Sequence, residues 1–212
     1  MKAFIVFGRA CKFIWEDMLL LILMNMLTLL FCVLIIPGPA AWAALCHMCN
    51  KVANQYAISW DEYWAVFRRE WRPWAPMTAI ATIISALIMI NFFFYSIAFP
   101  GQTWVPYVQG AWLAGGLLWL AVQFYLYPMF VEQEKKSWRM AIRNAAVIAG
   151  ANPLFTFLLL LIGGTLIGVS LFLVPPLFVL LGPAFWLMLG NAATIDRLEI
   201  YRKRMDQVQP KS

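Results

Sequence analysis

The sequence predicts an all-α, polytopic transmembrane helix bundle, and three observations predict it. Residues 73–131 run for fifty-nine positions without an Asp, Glu, Lys, Arg or His, a stretch that no water-facing surface tolerates. The chain of 212 residues is 63% hydrophobic and 12% charged, with a mean hydropathy of +0.75, outside the range of soluble domains. Finally, the 16 Lys and Arg residues fall in four clusters beside apolar runs, as cations facing anionic headgroups do. The formal charge of +6 therefore reads as a membrane edge, and no nucleic-acid partner is expected.

A single membrane domain over residues 1–212 follows, taken here from the amino end. Residues 2–16 form a helix with Phe4, Phe7, Cys11, Ile14 and Trp15 on one side and Lys2, Arg9, Lys12 and Glu16 elsewhere, which suits an interfacial helix. Residues 18–36 make the first crossing. They are no signal peptide, although Ala41-Trp42-Ala43 imitates a cleavage site, because the run exceeds the usual h-region of about 7–15 residues and Glu16 and Asp17 abut it. Asn25 and Thr28, three apart, share a face expected to meet another helix. Pro37-Gly38-Pro39 then breaks the helix.

Residues 40–54 read as a short helix of about 22 Å, less than a full crossing. It either returns incompletely through the bilayer or lies on the surface. Ser59 and Glu62 form a capping box that opens a helix over 59–71, with Trp60, Trp64, Phe67 and Trp71 as an apolar stripe and Arg68, Arg69 and Arg72 supplying charge. Residues 76–98 and 105–127 cross next, joined at Phe99-Pro100-Gly101-Gln102, since fifty-nine residues hold two crossings and a turn but not three. Ala114-Gly115-Gly116 allows close helix approach, Asn91 and Gln123 can bond between helices, and Pro128 ends or kinks the second crossing. Ser137 caps a second basic helix over 137–149, with Trp138 and Ile142 on one side and Arg139 and Arg143 on another. Residues 154–173 and 177–195 form a last pair around Val174-Pro175-Pro176, and a basic helix from Asp196 loses structure near Pro210.

The turns at Pro100-Gly101 and Pro175-Pro176 carry no Lys or Arg, so the positive-inside rule puts both outside and both termini in the cytoplasm. That choice needs six membrane helices, with residues 40–54 as a short one, and divides the chain into three similar units. Five crossings, with residues 40–54 peripheral and the amino terminus outside, is the alternative.

Chemistry is sparse. Cys46-His47-Met48-Cys49 collects soft donors of the kind that suit copper(I), but four consecutive helical residues point around most of a turn and cannot share one ion without unwinding. Packing is the stronger reading of Cys46, His47 and Cys49, and neither metal nor cofactor is expected. The four cysteines, Cys11 and Cys32 included, show no secreted disulfide framework. Every carboxylate lies in a segment expected to be cytoplasmic or interfacial, so no acid-base pair sits at depth. Phosphate loops, nucleophile elbows and zinc signatures are absent, and no enzyme is expected.

Ile36-Pro37-Gly38-Pro39-Ala40, followed by Ala44-Leu45 and the aromatic-basic run from Trp64 to Trp71, resembles the YesL family of bacterial integral membrane proteins. The likeness extends loosely over nearly the whole length, although the threonine associated with the stretch before Gly-Pro-Ala is missing. It implies an accessory protein of the bacterial cytoplasmic membrane, of a kind often encoded beside carbohydrate importers of the ATP-binding-cassette class, and it carries over no catalytic residues. The expected function is therefore non-enzymatic binding of a membrane partner such as the importer's membrane subunits. Trp64, Arg68, Arg69, Trp71, Arg72, Trp138, Arg139 and Arg143 would touch that partner or the lipid bilayer. The alternative is a small-solute channel or facilitator with its site near the break from Pro37 to Cys49, because short and proline-broken membrane helices mark transport sites.

Overall fold

The structure is a computed structural model that describes residues 2–208, with side chains placed for 2–203; the expected end of order near Pro210 lies outside the described residues. Eight helices follow one another: α1 (Lys2–Glu16), α2 (Met18–Val33), α3 (Gly38–Ala53), α4 (Trp60–Ala98), α5 (Val105–Val131), α6 (Trp138–Ala151), α7 (Pro153–Leu173) and α8 (Pro175–Val208). No strand occurs among the described residues. α4, α5, α7 and the Pro175–Lys203 part of α8 are long and apolar enough to cross a bilayer, while α1 and α2, bent by 91° at their junction, supply at most one broken span. Length and hydropathy thus give four crossings, or five with the bent pair, of a multi-pass membrane protein.

α3 is the hub. Ten of its sixteen residues are buried, and α2, α4, α5 and α8 all pack on it. Residues 40–54, too short to count as a crossing by length and hydropathy, are enclosed by other helices. The reason is composition: Ala40, Ala41, Ala43 and Ala44 have no accessible surface, and a shaft of small side chains lets surrounding helices approach closely.

The buried faces of two other helices also differ from expectation. In α1 the inward residues are Ala3, Val6, Ala10, Phe13 and Ile14, whereas Phe4 and Trp15 are exposed by 62% and 76%. α1 packs against α7 and α8, with Phe7 edge-on to Phe185, while Phe4 and Trp15 point outward. In α4 the inward line is Tyr63, Val66, Glu70, Trp74, Met77 and Ala81, at helical spacing but one position away from the tryptophan stripe. Trp64 and Phe67 pack edge-on and tilted against Phe31 of α2.

Prolines that the sequence treats as boundaries lie inside helices. Residues 59–71 and 76–98, expected as two helices, are one helix of 39 residues with Pro73 and Pro76 within it. Proline frees the carbonyl four residues earlier; here those carbonyls belong to Arg69 and Arg72, in a turn whose arginines are exposed. α5 runs through Pro128 to Val131, and the freed carbonyl is that of Phe124. Gly190 of α8 lies against it so closely that a Cβ at position 190 would sit 2.7 Å from the Phe124 oxygen. Only glycine fits there, and its Cα–H groups can face the oxygen.

α8 contains Pro183, which leaves the Val179 carbonyl without its helical donor. Asn25 of α2 fills the gap. Its Nδ2 donates to the Val179 carbonyl (2.8 Å) and the Leu180 carbonyl (3.0 Å), and its Oδ1 accepts from the Ala184 amide (3.0 Å). One buried amide thus replaces the backbone bonds that the proline disrupts.

Candidate functional site

Two groups of polar side chains lie along α3, toward its two ends. At one end the Thr28 hydroxyl donates to the Met24 carbonyl (2.8 Å) and accepts from Tyr63 (2.9 Å), all buried. At the other, Asn50 Nδ2 donates to Glu132 Oε1 (2.9 Å) and to Asn191 Oδ1 (3.1 Å), and Asn191 Nδ2 donates to the Leu187 carbonyl (2.8 Å). Lys51 pairs with Glu62 across the α3–α4 loop at 2.6 Å.

The Cys46-His47-Met48-Cys49 run lies on this seam with its donors divided. Cys46 Sγ lies 3.7 Å from Asn191 Nδ2, and the Cys49 thiol faces the Ala184 carbonyl at 3.6 Å, both on α8. His47 points toward α4, its ring 5.9 Å from Trp74, with Nδ1 donating to the Ala43 carbonyl (2.9 Å). The helical spread of adjacent positions produces this division. Among the described residues no three His, Cys, Asp or Glu side chains are placed to share an ion.

Beside His47, Trp74 stacks on Tyr127 at 5.9 Å and meets Phe130 edge-on at 5.3 Å, while Trp42 meets Tyr127 at 5.8 Å. Glu70, 6% exposed, accepts from Arg69 Nε at 3.0 Å through Oε1. Lys136, just before α6, donates to the carbonyls of Phe130 and Val131 at 2.9 and 3.0 Å and so satisfies the end of α5. Burial pulls its ammonium below the ordinary lysine value, and Glu70 is the first of the charges that oppose the shift. The Arg69 charge adds to the lowering.

No family model, curated protein or solved structure matches the chain.

The predicted contact residues occupy two exposed faces. Arg68, Arg69 and Arg72 are exposed on α4 beside Trp71, and Arg139 and Arg143 are exposed on α6. The Arg139 guanidinium lies 5.1 Å over the ring of Trp138. Trp64 is half-buried in the aromatic contact between α2 and α4. The break at Pro37, Gly38 and Pro39 is a packed joint. A Cβ on Gly38 would meet the Cys32 backbone at 3.3 Å, and the Trp71 indole donates to the Ile36 carbonyl at 3.4 Å. Ile35 holds a left-handed φ of 62°, a strained setting for a β-branched residue.

Sequence reasoning missed one cluster. Arg197, 7% exposed, pairs with Asp196, donates through Nη1 to Asn152 Oδ1 at 3.1 Å and lies 3.9 Å over the ring of Phe155. Asn152 Nδ2 donates in turn to the Tyr201 hydroxyl (3.1 Å). This ties α8 to the α6–α7 corner. In the sequence Arg197 counts as one more cation of a basic tail; the only local cue is Asn152-Pro153, a helix-start signature that needs a partner.

Proposed function

We propose that the chain is a non-enzymatic accessory protein of the bacterial cytoplasmic membrane that docks laterally on a membrane partner. The resemblance to the YesL family makes the membrane subunits of a carbohydrate importer of the ATP-binding-cassette class the first partner to test. The observation that carries this reading is the exposed set of five arginines, Arg68, Arg69, Arg72, Arg139 and Arg143. Of these only Arg69 has an ion-pair partner among the described residues, whereas Asn50, Glu132 and Asn191 at the α3 seam bond one another. Cations left open at the rim of a greasy bundle suit anionic headgroups or an acidic protein surface. In this reading the four Lys and Arg clusters and both termini face the cytoplasm, and the charge-free turn at Pro100-Gly101 faces outward.

Affinity purification of the full chain from gently solubilised bacterial membranes tests the partner. The expected result is recovery of importer membrane subunits, lost when Arg68, Arg69 and Arg72 are replaced together by Gln. Purifications that repeatedly bring down no importer component contradict the proposal.

A further inference from the structure

α5 and α7 touch at few points, and an apolar groove of about 890 Å³ opens between them with α6 as its floor. Leu117, Ala121, Phe157 and Leu161 form its walls, and Ala146 and Gly150 its floor. The outer walls face away from the protein: Leu117 is 54% exposed, Phe157 57% and Leu161 53%. The lining covers residues 114–122 of α5 and 153–165 of α7, eight and twelve steps of helix. That is a depth of about 12–18 Å, around the roughly 15 Å of hydrocarbon that half of a 30 Å core provides. The groove has the depth of one leaflet.

The floor identifies the occupant. Arg139, Arg143, Ala146 and Gly150 follow one another at spacings of four, three and four, so they share one stripe of α6. The two arginines are exposed, have no ion-pair partner among the described residues, and extend the floor beyond its apolar part. A long apolar channel that runs out at two open guanidinium groups complements a molecule with acyl chains at one end and a phosphate at the other. We propose that this groove is a binding site for a single anionic glycerophospholipid, whose acyl chains lie between α5 and α7 and whose phosphate is held by Arg139 and Arg143. The inference does not depend on the importer reading.

Native mass spectrometry of the full chain in mild detergent tests it, with phosphatidylglycerol and phosphatidylcholine of identical acyl chains as probes. The expected result is one phosphatidylglycerol retained in preference to phosphatidylcholine by about tenfold or more, the scale of two cations near an anionic headgroup. The double variant Arg139→Gln, Arg143→Gln removes that preference. Gly150→Leu and, separately, Gly164→Leu occupy the groove and lower retention of both lipids; a Cβ at either glycine meets nothing within 4 Å, so both variants keep the wild-type melting profile. Equal retention of the two lipids by the wild-type chain overturns the proposal. So does phosphatidylglycerol retention that survives both kinds of variant, or a second polypeptide that cross-links through Gly164→Cys in place of lipid.

Discussion

Replacing Asn25 with Leu is expected to destabilise the protein by about 2–4 kcal/mol, and replacing Pro183 as well is expected to recover most of that loss. Three backbone groups of α8, the carbonyls of Val179 and Leu180 and the amide of Ala184, depend on the Asn25 side chain. Each unsatisfied buried group costs about 1–3 kcal/mol in water-soluble proteins, and interhelical hydrogen bonds in membranes average nearer 0.6 kcal/mol, which together set the range. With Leu at position 183 the helix regains its donor for the Val179 carbonyl, and the Ala184 amide can return to Leu180. The Asn25→Leu, Pro183→Leu pair should therefore show a coupling of at least about 1 kcal/mol in a double-mutant cycle. Reversible unfolding in mixed micelles, followed by helicity, measures it. Simple additivity of the two losses would mean that Asn25 does not act on the proline break.

The second large effect is expected at Arg197. Removing it with Arg197→Ala leaves Asp196 and Asn152 without their partner and takes a cation from the face of Phe155. Breaking a buried pair costs about 3–5 kcal/mol, and because the Asp196 side chain is 21% exposed the lower end, about 3 kcal/mol, applies. Arg197→Lys should recover less than half, since an ammonium cannot bond Asp196 and Asn152 while lying flat on Phe155. Removing both charges, with Arg197→Met and Asp196→Asn, should cost less than Arg197→Ala alone. The same unfolding measurement ranks the three variants, and a lysine variant as stable as the wild type contradicts the stacked arrangement.

The membrane character and most helices were legible in the sequence because hydropathy and charge are local properties. Residues 105–127 and 154–173 were read within a few positions of α5 and α7, and the faces of Asn25 and Thr28 were read as helix contacts, where both residues are fully buried. Tertiary relations were less legible. Pro73 and Pro76 look like boundaries in isolation, and Pro128 like an end or a kink, but a proline keeps a helical φ, so the helix continues wherever the freed carbonyl is met from outside. Residues 40–54 are open in the sequence between a short membrane helix and a peripheral one because they are short and partly polar; their alanines line a hub, and small residues become informative only when neighbouring helices are in place. In α1 and α4 the buried line lies one step from the expected apolar face, at Ala3, Val6, Ala10 and Phe13 or at Tyr63, Val66 and Glu70. The division of the Cys46 to Cys49 donors follows from adjacent helical positions, whereas the Arg197 cluster joins residues 45 positions apart and leaves no local trace.

Thiol labelling shows whether α3 is the enclosed shaft of the bundle. Cys46 and Cys49 have no accessible surface, whereas Cys11 is exposed and Cys32 half-buried. A small, neutral, membrane-permeant maleimide applied to the folded protein, with sites assigned by peptide mass spectrometry, should modify Cys11 first and Cys32 more slowly. Cys46 and Cys49 should stay unmodified until the protein is unfolded in denaturing detergent. Modification of Cys46 and Cys49 in the folded protein at the rate of Cys11 would contradict that enclosure.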